Sequence, residues 1–227
     1  MTHFQIKVIS DIICPWCYIG KRRLERAITL YRSSSIPNLT TKDDTFSITY
    51  SPFYLDPSLP KPSPGGDGDG DGGGIDPKVY LAKKIGGDPQ RLAMIHARLK
   101  AIGESEGINF SLTGKIGNTR DAHRLIQLGK TKSLDVQDRV VAALFELHHE
   151  EGQDVSSRGY LVAAAERAGL DGEEVRRWLD GEGGGEEVDG EVEEAQRMGV
   201  RGVPHFVING RSELSGAQEP ETFVQEC

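Results

Sequence analysis

The sequence predicts an α/β fold in which an all-helical region interrupts a small β-sheet. Two observations support this prediction. Strand-like patterns occur near both ends of the chain, whereas residues 76–198 show helical apolar spacing almost throughout. At 227 residues, the chain is long enough for one domain with a second domain inserted into it.

The N-terminal part predicts a β-α-β unit. Residues 4–13 alternate and are rich in β-branched side chains, so they predict a buried strand. Residues 15–31 follow with one apolar helical face, and residues 46–56 alternate again as a second strand. A crossover helix between two strands implies that the strands pair in parallel.

Residues 60–75 form the first boundary of the predicted insertion. This segment is crowded with Pro, Gly and Asp and has almost no apolar residue to bury, so it predicts a disordered surface loop. Its Asp-Gly alternation resembles a calcium loop, but Lys78 stands where such a loop needs its closing acidic ligand. A solvated linker is therefore the favoured interpretation.

Helix signals fill the region after this loop. Asp76-Pro77 and Asp88-Pro89 are N-cap and N1 pairs, and Asn118 can cap a further helix. Strand signals return at residues 202–210 and 212–216, followed by a final helix. The predicted organisation is a sheet domain in two parts, 1–59 and 199–227, with the loop 60–75 and a helical domain 76–198 between them.

Charge and composition exclude several function classes. The net charge of −8 and pI near 5.3 argue against a nucleic-acid partner, which needs a basic face. No apolar run is long enough to span a membrane. The N-terminus lacks the pattern of a secretory signal, which favours a cytoplasmic location. Three cysteines are too few for a disulfide framework.

Two of those cysteines form a Cys-Pro-Trp-Cys motif at residues 14–17, between the first strand and the first helix. A cysteine at a helix N-terminus has its thiolate stabilised by free backbone amides and the helix dipole. Pro15 fits helix position N1, and the spacing turns Cys17 towards Cys14. The motif therefore predicts a redox pair in which Cys14 exchanges disulfides and Cys17 resolves the mixed disulfide.

Three alternatives to a redox pair are weaker. A tetrahedral zinc site needs four ligands, and the sequence has no second CxxC and no two histidines at the His-x3-5-His spacing to supply them. A structural disulfide that closes so short a loop would restrict the unfolded chain very little. The third alternative is chance, because an isolated CxxC is a modest signal. No metal is predicted.

The chain resembles DsbA-family thioredoxin-fold proteins, specifically the FrnE-like subgroup, which is related to 2-hydroxychromene-2-carboxylate isomerases and kappa-class glutathione transferases. The resemblance rests on SDIICPWCYIGKRRLERA, GNTRDAHRL, ALFELHHEEGQDVSSRGYL, GVRGVPHFVING and SGAQEPETF. It covers nearly the whole chain except the Gly/Asp-rich loop. It implies a thioredoxin fold with an inserted all-helical domain, which agrees with the pattern of strands and helices.

The resemblance also implies roles for individual residues. Cys14 would be the nucleophile, Cys17 the resolving cysteine, and Val203-Pro204 the cis-proline loop that pairs with substrate. Asn118 and Thr119 match a family segment that faces the site, although helix capping alone would account for them. Candidate contacts to glutathione or substrate are Pro15, Trp16, Asn118, Thr119, Val203, Pro204 and His205.

Trp16 inside the motif and several residues near it bear on the chemistry of the cysteine pair. Trp16 stands where strongly oxidising DsbA members have a histidine, so a less oxidising couple is expected unless His205 faces Cys14. Trp16 and Tyr18 could form an apolar surface for extended chains, with Phe53 and Tyr54 beside them or in the core. His123 has two interpretations, a functional group or an ordinary partly buried histidine.

The predicted function is a thiol-disulfide oxidoreductase acting on thiol- or disulfide-containing proteins or on small thiols. No cofactor is expected to stay bound, but glutathione could serve as co-substrate. One alternative is a glutathione-dependent isomerase or transferase acting on a small aromatic electrophile, although those branches have a serine at the position of Cys14. A second alternative is a non-catalytic module that binds partner chains. Related glutathione-using proteins form pairs, so a homodimer is compatible with the resemblance.

Overall fold

The computed structural model describes residues 2–33, 43–60 and 74–227. Along these residues the elements are β1 (His3–Ser10), α1 (Pro15–Ser33), β2 (Thr45–Pro52), α2 (Pro77–Lys84), α3 (Pro89–Ser105), α4 (Arg120–Lys132), α5 (Leu134–His149), α6 (Arg158–Arg167), α7 (Gly172–Asp180), α8 (Gly185–Arg197), β3 (His205–Ile208), β4 (Ser212–Ser215) and α9 (Pro220–Glu226). Helices α2–α8 thus separate a β-α-β unit from a β-β-α unit.

The four described strands form one mixed sheet in the order β2-β1-β3-β4. β1 and β2 pair in parallel, as the crossover helix predicted, and β3 pairs antiparallel with β1 although about 195 residues separate them. Ile6 lies between Ile48 of β2 and Ile208 of β3. The two ends of the chain therefore build a single sheet, with β1 in its interior.

Helices cover both faces of this sheet. α1 and α9 pack on one face, where the ring of Phe206 in β3 meets the ring of Phe223 in α9 edge-on, with centroids 4.8 Å apart. Lys7 points to the opposite face, because side chains alternate along a strand, and its ammonium forms an ion pair with Glu194 of α8 at 3.2 Å. β1 is thus enclosed on both faces.

The helical region packs closely against the β-α-β unit. Gln137 of α5 is buried, and its side chain hydrogen-bonds both the N–H and the C=O of Tyr50 in β2. The ring of Tyr18 in α1 stacks on Phe145 of α5 at 5.1 Å. The first contact ties α5 to β2, and the second places α5 directly beside the start of α1, which carries the CxxC motif.

Predicted element boundaries differ from the structure at strand ends. The first strand stops at Ser10 rather than residue 13, because residues 11–14 turn, with the Cys14 N–H donating to the Asp11 carbonyl at 3.1 Å. The second strand stops at Pro52 rather than residue 56. The caps predicted at Asp76 and Asp88 are confirmed by their side-chain hydrogen bonds to the next helical N–H groups.

Two further expectations concern the loop 60–75 and membrane-spanning segments. The predicted loop 60–75 lies largely outside the described residues, so its disorder, its calcium alternative and the domain boundaries drawn from it stay predictions. No helix in the described ranges is both long enough and apolar enough to cross a bilayer.

Candidate active site

The CxxC motif lies where the chain leaves the sheet and enters α1. Cys14 precedes Pro15, the first residue of α1, so Pro15 occupies the position where its missing N–H costs no helical hydrogen bond. The Cys17 N–H donates to the Cys14 carbonyl at 2.9 Å. This first turn brings the two sulfur atoms to the same side of the helix start, as the spacing predicted.

Both cysteines of the motif are free thiols in this structure, and they are not equivalent. The pKa of Cys17 is raised well above its usual value, first by burial and then by a hydrogen bond in which it donates to Cys14. Exposure does not separate the two residues, since Cys14 is 4% and Cys17 is 2% exposed. Their hydrogen bonds separate them, because the Cys17 thiol donates to Cys14, whereas the Cys14 thiol donates to the Val203 carbonyl.

The loop before β3 approaches Cys14 from the other side. The Val203-Pro204 peptide bond is cis, and the Val203 carbonyl accepts a hydrogen bond from the Cys14 thiol at 3.5 Å. Pro204 packs against α1, since its Cγ lies 2.9 Å from where a Cβ on Gly20 would stand. The structure thus brings together Cys14, Cys17 and Val203-Pro204, which are about 190 residues apart in sequence.

His205 is engaged with the sheet rather than with Cys14. Its Nδ1 lies 3.0 Å from the Ser215 hydroxyl, and its Nε2 lies 3.4 Å from a Glu213 carboxylate oxygen. Both partners belong to β4, the strand that pairs with β3. The expectation that its charge could stabilise a Cys14 thiolate therefore has no geometric support. His205 does not take the place of the histidine that strongly oxidising DsbA members carry where this chain has Trp16.

A cavity of about 580 Å³ lies beside the same loop. Its lining includes Val203 and His205 together with Arg201, Glu213 and Met198. Val203 therefore borders both the cysteine pair and an open space large enough for part of a ligand. The lining combines one basic, one acidic and several apolar side chains.

The sequence-predicted residues of the helical region serve structural contacts. Asn118 accepts a hydrogen bond from the Arg120 N–H and donates one to the Leu59 carbonyl. Thr119 is buried at the N-cap of α4, without a side-chain capping bond. These contacts agree with helix capping, and a ligand contact of either residue stays a prediction.

The aromatic residues around the motif divide between surface and core. Trp16 is 37% exposed beside the cysteines, whereas Tyr18 is fully buried and donates to Glu150 at 2.6 Å. Phe53 and Tyr54 are half-buried. The apolar surface proposed from the sequence thus keeps Trp16 and loses Tyr18 to the core.

A buried carboxyl group lies directly beneath the motif. Asp11 is 0% exposed, and its Oδ2 accepts a hydrogen bond from the Leu55 N–H at 2.7 Å. Its Oδ1 has no hydrogen-bond partner among the described residues, and it lies 3.5 Å from Nε2 of His123. The backbone N–H of Asp11 hydrogen-bonds the Cys17 sulfur, and the charge of its side chain contributes to the raised pKa of Cys17.

A family model for the DSBA-like thioredoxin domain matches residues 5–227. The chain belongs to the DSBA-like thioredoxin family. This membership confirms the resemblance seen in the sequence, and with the observed elements it confirms a thioredoxin fold that carries a helical insertion.

Several known proteins are similar to this chain over most of its length and most of their own. A probable DsbA oxidoreductase from Streptomyces coelicolor is 29% identical, with a TM-score of 0.80 over 99% of this chain and 88% of that chain. The uncharacterized protein YwbO of Bacillus subtilis is 26% identical over 96% of this chain and 92% of its own length. A 2-hydroxychromene-2-carboxylate isomerase, at 16% identity, shares the fold over 98% of this chain and 92% of that chain, with a TM-score of 0.64.

Sequence reasoning missed two polar groups of this DSBA-like site. Asp11 could have been noticed as an acidic residue that ends a buried strand three positions before the nucleophile. His149, whose Nε2–H donates to the Ile12 carbonyl at 2.9 Å, sits in a His-His pair on an apolar helix. No group of three or more metal-ligating side chains occurs among residues 2–33, 43–60 and 74–227.

Proposed function

We propose that this chain is a thiol-disulfide oxidoreductase in which Cys14 attacks and Cys17 resolves. The observation that supports it most is the placement of the Cys14 sulfur between a protonated Cys17 and the carbonyl of Val203. Membership of the DSBA-like family supports the same chemistry.

The roles of the two cysteines follow from their surroundings. Cys14 directly precedes the first turn of α1, and it receives a hydrogen bond from Cys17. Cys17 has a raised pKa, so almost none of it is thiolate at neutral pH. Cys14 is therefore the thiol that attacks an external disulfide first.

The reaction with a disulfide R–S–S–R proceeds in two exchanges. The Cys14 thiolate attacks one sulfur, forming Cys14–S–S–R and releasing R–S⁻. Cys17 then attacks the Cys14 sulfur, which releases the second R–S⁻ and leaves a Cys14–Cys17 disulfide. The substrate is reduced by two electrons and the cysteine pair is oxidised by two. The same steps in reverse oxidise a dithiol substrate.

Resolution requires that Cys17 lose its proton. The Asp11 carboxylate is suited to accept that proton, because its charge acts on the Cys17 pKa and its Oδ1 has no hydrogen-bond partner among the described residues. In this step the Cys17 S–H bond breaks, the S–S bond to Cys14 forms, and the proton passes to Asp11.

Substrate would dock on the Val203-Pro204 loop and beside Trp16. The backbone of Val203 borders Cys14, and the exposed indole of Trp16 offers apolar surface at the mouth of the site. Both a protein segment and a small thiol such as glutathione fit these features. Pro15, Asn118, Thr119 and His205 are further candidate contacts.

A trapping experiment tests the function. In Cys17→Ser, the first exchange should proceed and stop, so a mixed disulfide with the substrate accumulates and is seen by mass spectrometry. Cys14→Ser should form none. In parallel, equilibration of the wild type in glutathione buffers should show a two-electron transition within roughly −270 to −120 mV.

The outcomes separate the three functions considered. A cysteine pair that never closes, together with glutathione conjugation or isomerisation by the wild type, would replace the redox proposal with the glutathione-dependent one. Binding of partner chains that is unchanged in Cys14→Ala, without any exchange, would leave the non-catalytic module.

A further inference from the structure

His123 contacts the site from the helical insertion, and the exchange mechanism above does not yet use it. It lies on α4 and is 2% exposed, and its Nε2 faces two acceptors. One is the Phe53 carbonyl at 3.1 Å, and the other is the Asp11 Oδ1 at 3.5 Å. Because both are acceptors, Nε2 must carry a hydrogen.

The hydrogen is committed to Phe53 in this structure, which holds both cysteines as thiols. Asp11 Oδ1 therefore has no partner among the described residues, although burying a carboxylate without full hydrogen bonding is costly. The Nε2–Oδ1 distance exceeds ordinary hydrogen-bond length by only a few tenths of an ångström. A small rotation of the ring would transfer the hydrogen bond from Phe53 to Asp11.

The other titratable groups that face Asp11 do not offer it a hydrogen bond. Tyr54 and Tyr80, from the β2–α2 segment and α2, lie within reach of the Asp11 charge, and their hydroxyls donate to Asp189 and Asp56. His148 of α5 is also within reach of that charge, and its Nδ1 faces the Gln153 carbonyl. Cys17 itself is the proton donor. His123 is the imidazole placed next to the free carboxylate oxygen.

We propose that His123 is a positioning residue for the resolving step, which it serves by holding the Asp11 carboxylate beside Cys17 through its Nε2–H. The inference rests on the proposed oxidoreductase function. It assigns to the inserted helical domain a direct part in redox exchange, because α4 supplies the group that acts on Asp11.

The test follows the two exchanges separately with Ellman's reagent in the full chain carrying Cys227→Ser, which removes the third thiol. Attack by Cys14 releases one thionitrobenzoate, and resolution by Cys17 releases the second. His123→Gln keeps a hydrogen-bond donor of similar reach. His123→Leu removes the donor, and Asp11→Asn removes the carboxylate.

The second release should slow by about tenfold or more in His123→Leu and in Asp11→Asn at pH 7, because each change breaks the contact between the Nε2–H and the carboxylate. His123→Gln should restore the second release to near the rate of the parent protein, because it keeps the donor. The first release should stay unchanged in both His123 variants. Asp11→Asn combined with His123→Leu should be no slower than Asp11→Asn alone, because the two residues act as one unit.

Two results would overturn the inference. One is a second release in His123→Leu that matches the parent protein while Asp11→Asn slows it. The other is multiplication of the two effects in the double variant. Failure of the proposed function is distinct, since the parent protein would then release no pair of thionitrobenzoates at all. Melting temperatures identify any variant that is merely unfolded, and His123→Met, which also lacks a donor, replaces His123→Leu if that variant does not fold.

Discussion

Two adjacent histidines at the end of α5 are buried in a protein whose surface is strongly acidic. Burial lowers the pKa of His148, and burial together with the neighbouring His148 lowers the pKa of His149 well below its usual value. Both rings accordingly stay neutral in the folded chain at neutral pH. His149 is also tied to the active-site turn, through its bond to the Ile12 carbonyl.

The lowered pKa values predict a loss of stability in mild acid. Below about pH 6.5 the unfolded chain binds protons that the folded chain excludes, so this stability is present above pH 6.5 and lost as the pH falls. Each histidine should contribute up to about 1.4 kcal/mol per pH unit. Urea unfolding between pH 6.5 and 5 measures the slope. His149→Gln keeps an N–H donor and should reduce the slope, whereas exposed His3→Gln serves as control. An unchanged slope in His149→Gln would contradict the assignment.

The sequence predicted part of the site at this scale. Cys14, Cys17 and Pro204 could be found because their chemistry is carried by a local motif or by a matching segment. Asp11 and His149 carried only weak signals, a place at the end of a strand and a place in a His-His pair, because neither pattern says what the side chain faces. Their partners, Leu55 and Ile12, offer only backbone groups, which no sequence pattern marks.

At the scale of elements, the site depends on how closely α1 approaches the loop before β3. Gly20 lies in the second turn of α1, where a Cβ would stand 2.9 Å from Pro204 Cγ and 3.1 Å from Phe206 Cζ. Glycine normally weakens a helix interior, so its presence here is explained by the close approach. This approach holds the Val203 carbonyl against Cys14.

Gly20→Ala should therefore push α1 away from the loop. We expect a loss of about 1–3 kcal/mol in unfolding free energy, as for other overpacked contacts. The first release from Ellman's reagent should also change, because the Cys14–Val203 contact is displaced. Gly190→Ala in α8 is the matched control, since nothing lies within 4 Å of its Cβ, and it should gain about 0.5–1 kcal/mol. Equal stability of the two variants would argue against the close approach.

Helix starts were predicted more accurately than strand ends, for a physical reason. A cap such as Asp76 or Asp88 satisfies helix N–H groups through its own side chain, so the signal is local. The end of β1 is decided by pairing with β2 and β3 and by the turn at residues 11–14. Ile12 and Ile13 resemble strand residues because they are apolar and β-branched, although they are buried in the turn rather than paired in the sheet.

At the scale of the whole molecule, the helical region and the sheet behave as one packed body around the site. α5 contributes three separate ties to the sheet unit: Gln137 to the backbone of Tyr50, Asp138 to the buried ammonium of Lys21 at 2.6 Å, and His149 to Ile12. The sequence predicted that a helical insertion exists. It could not predict these ties, because they join side chains to groups more than 80 residues away.

Gln137→Leu tests whether the two parts unfold together. The change removes the partners of the Tyr50 N–H and C=O in a buried place, so we expect a loss of about 2–4 kcal/mol. In a Trp178→Phe background, Trp16 fluorescence follows the sheet side and far-UV circular dichroism follows mainly the helices. Both urea midpoints should fall together, whereas exposed Gln196→Leu should move neither by more than about 0.5 kcal/mol. A different result is a urea midpoint that falls for Trp16 fluorescence while the midpoint of the helical signal stays in place. It would show that the three ties of α5 do not couple the sheet to the helical insertion.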